Sequence, residues 1–150
     1  MMSELGGSRS KNRIMYRVTG WEKYLGKAVG TGQCVALLQA MGVPLTKEWR
    51  RGKLVKGAKD LEPGVCIATF GWDEHEQDWR YQNKTDGSSH AAIYLGQDKT
   101  GIQSMDQWKG QVAHYRTIRF KGGPPEKAVN DGSQFWVIEG AHGDNGDVAA

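Results

Sequence analysis

Gly30-Thr-Gly-Gln-Cys-Val-Ala-Leu-Leu-Gln-Ala40, answered further along by Ser89-His-Ala-Ala-Ile-Tyr-Leu-Gly96, decides how this chain reads. In the first stretch Cys34, Leu37, Leu38 and Met41 recur at i, i+3, i+4 and i+7, the apolar stripe of a helix, and Gly42 followed by Pro44 supplies its stop. Cys34 therefore falls in the first turn, where backbone N–H groups have no intrahelical acceptor. In the second stretch His90 heads a short apolar run that reads as a strand. A thiol titrates at about 8.5 when unperturbed, and a helix N-terminus or a neighbouring imidazolium draws it toward the nucleophilic thiolate. The pair reads as the nucleophile and base of a cysteine hydrolase.

Around these stretches the chain changes character from front to back. Residues 21–29 read as a short helix, ahead of the better one that carries Cys34. Beyond them, residues 65–70, 91–95, 102–107, 114–120 and 134–138 each follow a turn signal and read as strands, with 94–102 forming a hairpin across a short connection that contains glycine. Helices first and antiparallel strands afterwards mean an α+β fold, its N-terminal helices packed on an antiparallel sheet of about five strands. Residues 71–87 read as a long loop. Residues 1–12 read as a flexible leader, 13–140 as one folded domain, and 141–150 as a flexible tail, because neither end carries periodic apolar residues.

At 150 residues and 38% hydrophobic the chain suits one ordinary core. Its longest apolar runs are far too short to cross a bilayer, and the polar, basic start lacks the apolar stretch of a secretory signal. The expectation is synthesis in the cytoplasm, with any export by another route and no integral membrane association. Net charge is +3, with basic clusters at Arg9, Lys11, Arg13 and Arg17 and at Arg50, Arg51, Lys53 and Lys56. A solvated face explains these better than an acidic polymer does, and no motif favours nucleic acid as a partner. Cys34 and Cys66 have no metal-ligand spacing, and a disulfide between them is not expected.

Each candidate has a blander alternative. Cys34 on an apolar stripe could be a small buried hydrophobe; against that, Gly30 and Gly32 stand where a backbone must approach something closely, and the helix start can stabilise a thiolate or an oxyanion. Cys66, inside an apolar strand, reads as buried packing. A base at His90 needs a third group to fix its tautomer. The hairpin partner offers Gln103, Ser104, Asp106 and Gln107, and strand parity sets Ser104 and Asp106 on one face and Gln103 and Gln107 on the other. A carboxylate both orients an imidazole and stabilises its charged form, so Asp106 is the first choice and Gln107 the second. His75 with Asp73, Glu74 and Glu76 lacks the convergence of a metal site, and no metal is expected there. His114 and His142 have no partner motif.

Taken in order, Gly32-Gln-Cys-Val-Ala-Leu37, Ile67-Ala-Thr-Phe70, Ser89-His-Ala-Ala-Ile-Tyr-Leu95 and Asp106-Gln-Trp108 resemble the NlpC/P60 and CHAP superfamily of papain-like cysteine amidases and peptidases. The chain looks most like a small branch of bacterial amidase-type domains, some of them similar to type VI secretion effectors that attack peptidoglycan. The resemblance covers roughly residues 30–110. It implies a papain-like fold and hydrolysis of an amide bond in the peptide stems of the bacterial wall, with Cys34 attacking, His90 as base and Asp106 orienting it. Gln33, Gln107 and Trp108 are then the candidates for the oxyanion hole and substrate contacts, with no cofactor. Action in the periplasm of a target cell after secretion, and an immunity protein as partner, follow from the effector branch. Two departures stand out: Cys66 where a small or β-branched residue is expected, and a long acidic loop between Trp72 and Trp79. A papain-like module that only binds, and an enzyme acting on cytosolic proteins, are the competing readings.

Overall fold

The computed structural model describes residues 13–140. The leader at 1–12 and the tail at 141–150 lie outside them. In chain order the strands are β1 (Ile14–Met15), β2 (Arg50–Leu54), β3 (Cys66–Ala68), β4 (Gly71–Asp73), β5 (Asp78–Arg80), β6 (Ala91–Gln97), β7 (Gly101–Trp108), β8 (Gln111–Arg119) and β9 (Trp136–Gly140), with one α-helix, α1 (Cys34–Ala40), and four short 3-10 turns. The fold is α+β. Its main sheet has seven strands rather than about five, paired in the order β1-β9-β3-β6-β7-β8, and β2 also pairs with β9. Every pairing is antiparallel.

The two additional strands are those with no apolar alternation. β1 and β2 both pair with Glu139, and β2 and β3 both pair with Trp136, so β2 occupies one edge of β9 while β1 and β3 share the other. Their strand conformation comes from an available edge, not from their own residues. At Arg51 β2 departs from the reading of the basic cluster as a solvated face, while Lys53 and Lys56 are exposed. The Arg51 guanidinium lies between the rings of Trp79 and Trp136, 4.1 and 4.2 Å from their centroids. A planar, weakly hydrated cation suits such a slot.

The middle of the sheet is buried on both faces. Cys66, Ala68, Ala91, Ile93, Met105 and Ile138 join one cluster, with Leu37, Leu38 and Met41 of α1 and Trp49. Their alternating neighbours Val65, Ile67, Ala92, Tyr94, Ile102 and Val137 join a second, with Phe135 and Ile118. The period of two explains the division.

Residues 21–29 are not a helix. A 3-10 turn over Trp21–Tyr24 ends at Gly26, whose φ is +79°. There the backbone pairs sideways with β8: Gly26 N–H donates to the Ala113 carbonyl at 2.9 Å, and Ala113 N–H to Lys27 at 2.9 Å. Nor is 71–87 entirely loop. It contains the β4–β5 hairpin, where Trp72 and Trp79 face each other across the strands with centroids 5.6 Å apart.

Candidate active site

Cys34 opens α1 after an extended Gln33, and the two preceding glycines hold left-handed backbone, Gly30 at φ +58° and Gly32 at +87°. A Cβ on Gly30 would also meet the Ala36 methyl at 3.0 Å. This entry loop is fastened from β7. The Gln107 side chain accepts from Val29 N–H at 2.9 Å and donates to the carbonyls of Val29 at 2.9 Å and Gln33 at 2.8 Å. Gln107 is therefore fully committed and buried; it does not line the cleft, and no donor remains for a substrate or an oxyanion.

His90 sits one residue ahead of β6 and is held by its backbone: its N–H donates to Thr69 Oγ1 at 3.0 Å, and its carbonyl accepts from Thr69 N–H at 3.0 Å. The β6–β7 register pairs Ile93 with Met105 and Tyr94 with Ser104. Carried back along the strands, it sets Ala92 opposite Asp106 and His90 diagonal to it on the same face. The ring nitrogen Nε2 of His90 lies 2.7 Å from Asp106 Oδ2, and both side chains are buried. With Nε2 so engaged, Nδ1 is the nitrogen left for the thiol, and a carboxylate that accepts from Nε2–H leaves Nδ1 free to take a proton.

The electrostatics follow the geometry. Burial pushes the Cys34 pKa up, but the hydrogen bond and charge of His90, the Tyr81 hydroxyl and the Ala91 N–H together bring it below the ordinary thiol value. Burial pulls His90 down, and its bonds to Asp106 and Cys34 outweigh that and raise it. Burial favours a protonated Asp106, yet His90 and Arg116 hold its pKa below the usual carboxylate range. Cys66 shows the contrast: fully buried without a charged neighbour, its thiol is pushed strongly up. Both cysteines are free.

A cleft of about 330 Å³ opens over Cys34 and His90. Gln33, Tyr81, Trp108, Lys84 and Lys109 are among its walls. Among the described residues, no group of three or more His, Cys, Asp and Glu is arranged to hold a metal, and His75 stands at the tip of the β4–β5 hairpin. No helix of the described residues is long and apolar enough to cross a membrane.

The profile of the domesticated amidase effector 2 family matches residues 9–138. The chain belongs to that family. A type VI secretion amidase effector 2 protein of Salmonella typhi is 44% identical to it over 88 residues, 58% of this chain and 61% of that protein, so the match spans less than two thirds of the relative. The solved structure of a type 6 secretion amidase effector 2 (Tae2) superposes with a TM-score of 0.69 at 32% identity, covering 87% of this chain and 98% of that one.

In this member of the domesticated amidase effector 2 family Tyr81 and Arg116, near the site, escaped the sequence reading, and His114, read there as having no partner motif, stands beside Asp106. Tyr81, just past β5, sets its hydroxyl 3.3 Å from Cys34 Sγ and packs its ring on Trp49. Burial and the neighbouring thiolate push its pKa up, so Tyr81 stays a donor. His114 and Arg116 of β8 both reach Asp106, at 3.1 and 2.8 Å. The pattern His-x-Arg on the strand next after Asp106 is the signal that was available for them; nothing in the spacing announces Tyr81.

Proposed function

We propose that this chain is a cysteine amidase of papain-like type, acting on an amide bond in the peptide stems of bacterial peptidoglycan as a secreted effector. The observation that carries the reading is that Cys34 and His90 stand on the wall of one open cleft, with the His90 ring 2.7 Å from the buried Asp106 carboxylate. Membership of an amidase effector family supports the substrate.

Cys34 thiolate attacks the carbonyl carbon, and the electron pair moves to the carbonyl oxygen. The first-turn N–H groups of α1, that of Cys34 first, face the place where this charge develops, with the Gln33 side chain on the cleft wall as a second donor. His90 then gives its Nδ1 proton to the leaving amine, the C–N bond breaks and a thioester remains. Water, losing a proton to His90, attacks the thioester and restores the thiol. Through both steps Asp106 keeps Nε2–H engaged and stabilises the imidazolium. Tyr81 donates to the thiolate between turnovers.

Digestion of purified peptidoglycan, followed by mass analysis of the fragments, tests the reading. The wild-type chain releases stem fragments with a new amine terminus, and Cys34→Ala releases none. Expression with a periplasmic signal lyses bacteria while expression without one does not. Wall fragments bound but uncut by the wild-type protein would show a binding module, and toxicity confined to the cytosolic form would point to cytosolic protein substrates.

A further inference from the structure

The Asp106 carboxylate, wholly buried in β7, carries more partners than a triad requires. Its Oδ2 accepts from both His90 Nε2, at 2.7 Å, and Arg116 Nε, at 2.8 Å. Oδ1 faces His114 Nε2 at 3.1 Å, but the two are not aligned as a hydrogen bond, and both atoms are buried without a hydrogen-bond partner among the described residues. This arrangement is built into the sheet. The β7–β8 register sets His114 directly opposite Asp106 and Arg116 opposite Ser104, so that both share the face of Asp106. Arg116 is fixed in turn, its Nη2 donating to the Val129 carbonyl at 2.8 Å and its guanidinium lying over the Trp108 ring at 5.2 Å. The His114 ring stands edge-on to Trp108 at 5.1 Å, and 30% of its side chain remains exposed.

We propose that Arg116 is a positioning residue for the reaction, acting through Asp106: it locks the carboxylate against His90, with the His114 ring packed beside Oδ1. The inference rests on the roles proposed above for His90 and Asp106. The charged groups that face Asp106 are His90 from the start of β6 and His114 and Arg116 from β8, with Cys34 beyond His90. Arg116 and the His90 imidazolium share one carboxylate oxygen, so Arg116 fixes where Oδ2 stands and opposes the charge on His90.

The test is the pH profile of kcat/KM on purified peptidoglycan for the full chain and its variants. Arg116→Gln lowers kcat about tenfold or more with KM little changed and moves the basic limb upward, since a cation that opposed the imidazolium is gone. Arg116→Lys keeps the charge, so it lowers kcat less than Arg116→Gln and leaves the basic limb in place, and Arg116→Met, a second neutral variant should Arg116→Gln fail to fold, moves the basic limb as Arg116→Gln does. A neutral Arg116 variant that loses activity or stability with a wild-type basic limb overturns the inference, because a purely structural role leaves the profile unmoved. A fully active Cys34→Ala or Asp106→Asn overturns the catalytic reading itself, so the two failures are distinct.

Discussion

Asp106 Oδ2 lies 2.7 Å from His90 Nε2, a bond across neighbouring strands between two buried side chains. Their diagonal placement in the β6–β7 register makes the contact a property of the sheet. Replacing the carboxylate by an amide removes the charge that stabilises the imidazolium and can select the wrong tautomer. Asp106→Asn is expected to fold and to lower kcat by about 10² to 10⁴-fold, less than Cys34→Ala. Circular dichroism with single-turnover kinetics checks both halves of the expectation.

Gln107 stands next in β7 and points to the other face, where it holds Val29 and Gln33. Gln107→Ala leaves the buried Val29 N–H without a partner, while the Val29 and Gln33 carbonyls keep the N–H groups of Gly32 and Ala36, at a cost of about 1 to 3 kcal/mol. Activity drops because Cys34 is displaced, yet both limbs of the pH profile stay where they are, since the charges around His90 are unchanged. Chemical denaturation and a pH–rate series together distinguish this from the loss at Asp106.

The two thiols differ in every respect that governs alkylation. His90 and Tyr81 bring Cys34 below the ordinary thiol pKa, while burial alone pushes Cys66 far above it. At pH 6 iodoacetamide is expected to label Cys34 at least about 10²-fold faster than Cys66 in the folded protein. Equal labelling, read by peptide mass spectrometry, removes the case for an activated Cys34.

Asp131 carries stability rather than chemistry. Burial alone would raise its pKa, but the Gln134 amide and the N–H groups of Lys121, Ser133 and Gly123 pull it well below the usual range. A carboxyl depressed in the folded state contributes stability that is full above its unfolded pKa of about 3.9 and lost as pH falls through the folded value. Asp131→Ala should therefore cost about 2 to 4 kcal/mol at pH 7, from the donors left unpaired, and progressively less below about pH 4. Urea melts at pH 7 and at pH 3 measure the difference.

Much of the site is legible in the linear chain because it depends on local periods. The helical stripe that starts at Cys34, the apolar run behind His90 and the alternation Ser104, Gln103, Asp106, Gln107 are set by repeats of 3.6 and 2 residues, and backbone geometry turns them into faces. The same periods mark the strands of the sheet centre, whose residues are apolar on both sides. What lies outside such periods is not legible. The segments 50–54 and 14–15 become strands because β9 has free edges, and 21–29 fails as a helix because Gly26 and Lys27 find Ala113.

By itself, then, the sequence determined which residues could do the chemistry and on which face of which element each would stand. The tertiary structure alone decided their company: Tyr81 at the thiol, Gln107 under the entry loop, Arg51 between Trp79 and Trp136, and His114 with Arg116 behind Asp106. The physical reason is range. Periodicity is a property of adjacent turns and pleats, whereas these contacts arise from strand register and from burial, which bring together parts of the chain whose separation in sequence carries no signal.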